Sequence, residues 1–245
     1  MPDTLIIRDL PGLGDGRTVG TTLAAKVQLS IDRLRAFESQ ALSMHPDGYW
    51  LADSGGKDSC CILALAEMAG VKFSAHYNVT GIDPPPLVRF LRQHHPETQW
   101  VRSPKTMWQL IVEKRMPPTR RVRYCCEALK EQGGKGRMVI LGVRWEESAK
   151  RAKRRMVESC RQPGRGRSFL NPIIDWTEAD VWGFLRGNAI PYCSLYDEGW
   201  DRIADPATLR NKNPANWSSG QAMMAWWLSG DDHDPTDDQP WLFGG

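Results

Sequence analysis

The run Ser54-Gly55-Gly56-Lys57-Asp58-Ser59 places two hydroxyls, an ammonium, a carboxylate and two glycines within six residues. That is the chemistry of an anion cradle. Glycine allows the left-handed or crowded backbone that a nest of N–H groups needs. The serine hydroxyls and the Lys57 ammonium meet phosphate oxygens, and a helix starting here would add the positive end of its dipole. Asp58 repels phosphate unless a cation lies between them, so its expected service is to Mg2+, directly or through water. The competing reading is a serine- and glycine-rich turn joining a strand to a helix, and the position of the hexapeptide weighs against it.

That position follows from the flanking residues. Gly48 to Ala52 has the aromatic and apolar character of a short buried strand, and Cys60 to Ala69 has the length and apolar richness of a helix packed on a sheet. A strand, a glycine-bearing turn and a helix start converge unpaired N–H groups on one point. With these neighbours, Ser54 to Ser59 resembles the PP-motif of the adenine-nucleotide alpha-hydrolase superfamily. The resemblance implies a site that holds the pyrophosphate part of ATP and cleaves between the α and β phosphates. The P-loop pattern, with its longer glycine spacing, belongs to enzymes acting at the γ-phosphate.

Around this centre the chain alternates strands and helices. Thr21 to Leu42 carries apolar residues at mostly helical spacing and predicts a surface helix. Val71 to Val79 predicts a strand, Leu87 to His94 a helix, Trp100 to Arg102 a third strand, Thr106 to Glu113 a third helix, and Met138 to Val143 the most strand-like run of all. The pattern argues for an α/β fold, a doubly wound, open, Rossmann-like parallel sheet with helices on both faces. Such sheets bind ligands beyond the carboxyl ends of their strands. The PP-loop, the Asn78–Asp83 turn and the Val143–Ser148 turn all fall at such ends. The domain expectation is an irregular lead-in over 1–20, the nucleotide-binding domain over 21–203, and a C-terminal extension with an acidic tail over 204–245.

Composition bounds the partners. No apolar run approaches the roughly 20 residues of a membrane span, and Met1 to Gly20 lacks the apolar core of a signal peptide, so a cytoplasmic protein without a membrane partner is expected. The six cysteines include two adjacent pairs, which suits reduced thiols better than a disulfide framework. The net charge of +3 is too small to argue for nucleic acid by itself, but Lys150 to Arg167 holds eight Lys or Arg against one Glu. That segment reads as a solvated loop, as a lid closing over ATP, or as a track for a nucleic acid or ribonucleoprotein partner. Arg144, leaving the Met138 strand, is the best single candidate for a phosphate clamp.

Three further runs carry a second resemblance. Cys125-Cys126-Glu127-Ala128-Leu129-Lys130, then Gly142-Val143-Arg144 with Glu147-Ser148, and then Asn171 to Trp176 with Asp180-Val181-Trp182 resemble the phosphoadenosine phosphosulfate (PAPS) reductase family, from about Leu29 to Ile203. With Pro191 to Tyr196, the chain resembles the CysH-like branch found with DNA phosphorothioation genes and type IV CRISPR loci. The resemblance implies that Ser54, Gly55, Gly56, Lys57, Asp58 and Ser59 bind pyrophosphate. It places Asn78 to Asp83 near the nucleoside, and Lys130 and Arg144, with Gly142 beside it, at the phosphates. The departures are as informative. PAPS reductases carry a nucleophilic cysteine near the C-terminus, and no cysteine follows Cys193 here. An iron–sulfur cluster takes four thiolates, and no later Cys-x-x-Cys accompanies Cys125 and Cys126, so a cluster is not expected and buried small residues are the expected role of the pair.

The resulting expectation is an ATP pyrophosphatase or adenylyl-transferring enzyme using ATP and Mg2+, with Lys57, Asp58 and Arg144 as its catalytic residues. The alternatives are a sulfonucleotide reductase, opposed by the missing C-terminal cysteine, and a non-catalytic accessory factor that binds nucleotide or nucleic acid.

Overall fold

A computed structural model describes residues 22–119, 122–130, 133–159 and 166–200. The lead-in over 1–20, the extension over 204–245 and part of the basic segment lie outside the described residues. The chain enters through α1 (Leu23–Ala36), whose N-cap Thr22 accepts a hydrogen bond from the Ala25 N–H. One continuous helix over Thr21 to Leu42 is corrected to two, because Phe37 leaves helical geometry at φ −103°, ψ 2° and starts α2 (Glu38–Met44). The alternation then follows: β1 (Tyr49–Ala52), α3 (Lys57–Ala69), β2 (Phe73–Val79), α4 (Pro85–His94), β3 (Gln99–Arg102) and α5 (Met107–Lys114). A π-helical turn over Cys126–Lys130 leads to β4 (Met138–Ile140), then β5 (Val157–Ser159), β6 (Ser168–Leu170) and α6 (Glu178–Gly187).

The six strands order as β3-β2-β1-β4-β6-β5. All pairings are parallel except β5 with β6. The sheet thus grows outward from β1 in one direction and from β4 in the other, and the point where the order reverses lies between them. The PP-loop leaves β1 at that point. Residues 157–159, expected inside a mobile loop, are instead a strand paired antiparallel with 168–170. The sequence signal was weak there because each strand is only three residues long.

Strand alternation separates two faces. Tyr49 and Leu51 enter the main core with Leu34, Ile62, Leu65, Leu91, Ile140 and Phe184, where α1 packs on α3 and α3 on α6. Trp50 and Ala52 point the other way, toward a cavity described below. A smaller cluster of Met107, Leu110 and Leu129 joins α5 to the π-helical turn. The Asn171 to Trp176 run is a docking corner: Arg33 of α1 forks onto the Asp175 carboxylate at 2.7 and 3.0 Å and donates to the Pro172 carbonyl. Lys26 pairs with Asp180, and the buried Trp176 indole donates to Ser30. This corner sets where α6 begins, and with it one wall of the site.

Candidate active site

The PP-loop is braced by a residue outside the hexapeptide. The Asp53 side chain is fully buried, and its carboxylate accepts four hydrogen bonds. They come from the Gly55 N–H at 2.9 Å, the Ser59 hydroxyl at 3.1 Å, the Thr98 hydroxyl at 2.9 Å and His95 Nδ1 at 2.6 Å. Burial opposes its ionisation, but the hydrogen bond and charge of His95, with Gly55 and Thr98, outweigh that and hold its pKa below the ordinary value. Gly55 sits at φ +69°, and a Cβ there would lie 2.7 Å from Leu87 and 2.9 Å from Leu91 of α4. Only glycine satisfies both conditions. α3 then starts at Lys57, with Gly56 as a cap that supplies no side chain. The Lys57 N–H donates to the Tyr196 hydroxyl at 2.9 Å, and the N–H groups of Asp58 and Ser59 follow in the same turn.

Above this turn lies a cluster of charges. Arg144 is 3% exposed. Its guanidinium reaches Asp58 through Nε at 2.6 Å, Glu178 through Nη2 at 2.6 Å and Glu146 through Nη1 at 3.2 Å. Burial disfavours its charge, and Asp58 and Glu178 more than restore it, so its pKa is raised. Lys57, 4% exposed, reaches Glu178 Oε1 at 3.3 Å and lies over the Tyr196 ring at 5.2 Å. Glu178 is positioned by a capping box in which Thr177 and Asp180 exchange hydrogen bonds at the start of α6. Gly142 has a packing reason to be glycine: its Cβ would lie 3.0 Å from the Asp58 carbonyl oxygen, and its absence lets the exit of β4 pass against the first turn of α3.

The remaining expected residues divide. Asp83 is buried and accepts from Tyr77 at 2.6 Å and Thr80 at 2.5 Å, which makes it a brace of the turn after β2. Asn78 donates to the Lys130 carbonyl at 3.3 Å. Asn78 and Lys130, with Ala52, Leu141, Trp50 and Phe169, line a cavity of about 350 Å³. Lys130 ends the π-helical turn that Cys126 begins. The expectation of buried small cysteines is corrected for this pair: both are half-buried, and Arg123 Nη2 donates to Cys126 Sγ at 3.3 Å. Among the described residues no three His, Cys, Asp or Glu side chains converge to hold a metal by themselves, and no helix is long and apolar enough to cross a membrane.

Residues 48–209 match the phosphoadenosine phosphosulfate reductase domain family. The chain belongs to this family. Relatives of the PAPS reductase domain include an adenosine 5'-phosphosulfate reductase of Neisseria meningitidis, 37% identical over 37% of this chain and 35% of that protein. An uncharacterized protein of Methanocaldococcus jannaschii is 29% identical over 70% of this chain and 46% of that protein. The chain thus spans about a third to a half of the length of these relatives. Among solved structures, a PAPS reductase from Candida auris aligns with a TM-score of 0.51 at 15% identity, covering 76% of this chain and 96% of that one. A Candida glabrata FMN adenylyltransferase aligns at 0.51 and 13%, covering 77% and 69%. At such identities these two likenesses concern the fold alone, an α/β architecture around a mostly parallel sheet.

Within this PAPS reductase domain the structure brings Ser54 to Ser59, Gly142 and Arg144 together, and places Asn78 and Lys130 on the adjoining cavity. Sequence reasoning missed Asp53, His95 and Thr98, which gather from β1, the end of α4 and the approach to β3. It also missed Glu146 and Glu178. An acidic residue directly before a PP-loop was a usable signal for Asp53; nothing local marked His95 or Thr98.

Proposed function

We propose that this protein acts at the α-phosphate of an adenine nucleotide, cleaving ATP between its α and β phosphates to release pyrophosphate and leave AMP or an adenylylated acceptor. One observation supports the ATP reading most. The five charged groups around the first turn of α3 are two cations, Lys57 and Arg144, and three carboxylates, Asp58, Glu146 and Glu178, a net charge of −1. A bare polyphosphate would be repelled there, so the donor set fits a nucleotide that brings a divalent cation. Asp58 is the carboxylate next to the cradle and would share Mg2+ with phosphate oxygens, the usual mode for an ion that keeps few protein ligands. When bound, Mg2+ would neutralise charge gathering on the leaving pyrophosphate. Lys57 and Arg144 would reach the phosphates by exchanging carboxylate partners for phosphate oxygens, and the Asp53 brace keeps the loop from reorganising during that exchange.

The assay is incubation with ATP and Mg2+ and identification of products. Pyrophosphate with AMP or an adenylylated product supports the reading, and ADP with phosphate overturns it. A second reading, a sulfonucleotide reductase, is favoured by the family and by the half-buried Cys126 beside Arg123. Sulfite release from adenylyl sulfate or PAPS would select it. The finer placement in the CysH-like branch associated with phosphorothioation and CRISPR systems, as a cytoplasmic accessory of a mobile element, rests on the resemblance of Pro191 to Tyr196. The basic residues from Lys150 to Arg167 support either a lid over the nucleotide or contact with a nucleic acid or ribonucleoprotein. Neutralising Arg151, Arg154 and Arg155 together separates the two through KM for ATP and oligonucleotide affinity.

A further inference from the structure

We propose that Tyr196 is a phosphate-binding residue of this site: its hydroxyl donates to an oxygen of the pyrophosphate group held at the PP-loop, while it accepts from the first helical N–H of α3. The proposal rests on the reading that the PP-loop holds the pyrophosphate part of a nucleotide. Tyr196 ends a short 3-10 turn, Ser194–Tyr196, and stands 139 positions from Lys57 in the chain. Only the folded chain brings it to the loop.

The start of α3 leaves specific donors open. A helix begins with N–H groups that have no partner within the helix. The first intrahelical bond here runs from the Cys60 N–H to the Gly56 carbonyl, so the groups in question belong to Gly56, Lys57, Asp58 and Ser59. Gly56 donates to the Ser54 hydroxyl at 3.4 Å and Lys57 to the Tyr196 hydroxyl at 2.9 Å. Gly56 has no side chain with which to cap the helix, and Tyr196 supplies that cap from a distant segment. Among the described residues the N–H groups of Asp58 and Ser59 have no acceptor. These two face an incoming anion together with the helix dipole.

The Tyr196 hydroxyl is engaged on its acceptor side alone. A phenol accepts through its oxygen and has one proton to give. Among the described residues nothing accepts that proton. Burial raises the Tyr196 pKa above the ordinary tyrosine value, so the proton stays on the oxygen at neutral pH. An anion bound by the Asp58 and Ser59 N–H groups lies beside this oxygen and takes the proton as a hydrogen bond. The choice of a hydroxyl has a physical reason: it adds a donor without adding charge to a cluster that already holds three carboxylates against two cations.

The ring behind the hydroxyl is fixed. Cys193 and Leu195, both buried in the main core, anchor the turn. The Tyr196 ring meets Trp182 of α6 edge-on at 5.3 Å, and Lys57 Nζ lies over it at 5.2 Å. Trp182 in turn donates from its indole to Glu178 Oε1 at 3.0 Å. Tyr196, Trp182 and Glu178 thus form one continuous wall beside the loop. On the loop itself, a Cβ at Gly56 would lie 3.4 Å from both the Ser54 and the Tyr196 hydroxyl oxygens, so the two hydroxyls flank the same residue. A donor held in place before the nucleotide arrives stabilises phosphate charge without reorganising.

The test titrates the full chain with pyrophosphate and Mg2+ in a calorimeter, comparing the wild type with Tyr196→Phe and with Tyr192→Phe, a ring of the same aromatic cluster. Tyr196→Phe keeps the ring and removes only the hydroxyl. It should weaken pyrophosphate binding by roughly tenfold, the size of one hydrogen bond to a charged acceptor, in a protein that Tm shows to be folded. Tyr192→Phe should bind as the wild type does. A folded Tyr196→Phe with a lower Tm and unchanged affinity would make the hydroxyl a helix cap only and overturn the proposal. Tighter binding would also overturn it, since the hydroxyl would then be a plug that phosphate must displace. If both Phe variants weaken binding equally, the effect belongs to the aromatic cluster and the proposal fails. A wild type that binds neither pyrophosphate nor ATP overturns the pyrophosphate reading of the loop together with the role of Tyr196, whereas a wild type that binds both, beside an unaffected Tyr196→Phe, overturns Tyr196 alone.

Discussion

The PP-loop and the turn from Cys126 to Lys130 are held in opposite ways. Asp53, fully buried, ties the loop through four hydrogen bonds, and Gly55 is wedged against Leu87 and Leu91. The π-helical turn rests on Leu129, one of three buried residues in a satellite cluster, with Cys126 half-buried and Lys130 exposed. The contrast has a chemical sense. Groups that stabilise developing charge work best when preorganised, so that no reorganisation falls within the reaction. Half-buried thiols stay open to approach, and fuller burial would raise their pKa.

The contrast can be broken at four places. Gly55→Ala is the most severe: a left-handed residue with a Cβ overlapping Leu87 should cost about 3 kcal/mol and lower both Tm and nucleotide affinity. An unchanged Tm would show that the loop is less tightly wedged than its contacts indicate. Lys57→Ala should cut turnover by ~10²-fold, about 2.7 kcal/mol in the barrier, in a folded protein. Near-normal turnover would remove Lys57 from the mechanism.

Asp53→Asn should cost about 2 kcal/mol through weakened charged hydrogen bonds, and its pH dependence carries a sign. Although burial opposes it, the His95, Gly55 and Thr98 contacts hold the folded-state pKa of Asp53 below its ordinary value of 3.8. Its contribution is therefore fully present above that value and lost as pH falls through the lower folded one. The wild type should lose stability over that acid range, and the Asn variant should show a flatter acid limb in urea titrations. Parallel limbs would mean that Asp53 does not carry this dependence.

Arg123→Ala should leave stability within about 0.5 kcal/mol, the smallest change of the four. Its effect is on Cys126: without the guanidinium, the midpoint of the alkylation–pH curve should move above its value of about 5. An unmoved midpoint would assign the thiolate to Cys125 and Lys130 alone.

Much of the fold was legible because each βα unit carries its own pattern. Val71 to Val79 and Leu87 to His94 announce themselves by alternation, helical spacing and a proline-marked helix start, and the structure shows β2 and α4 within two residues of those limits. The hairpin of β5 and β6 was not legible, since three-residue strands hold too little periodicity. The break at Phe37 was missed because the apolar spacing runs straight through it.

By itself the sequence determined the sheet class, the cradle and the family, because a strand, two glycines, a lysine and a helix start are adjacent in the chain and act through local backbone geometry. Tertiary structure alone decided what surrounds them. His95 and Thr98 reach Asp53 across more than forty positions, and Glu178 reaches Arg144 across 34. Hydrogen bonds and ion pairs depend on distance in space, and no spacing along the chain encodes which buried charge will find which partner once the sheet has closed around β1 and β4.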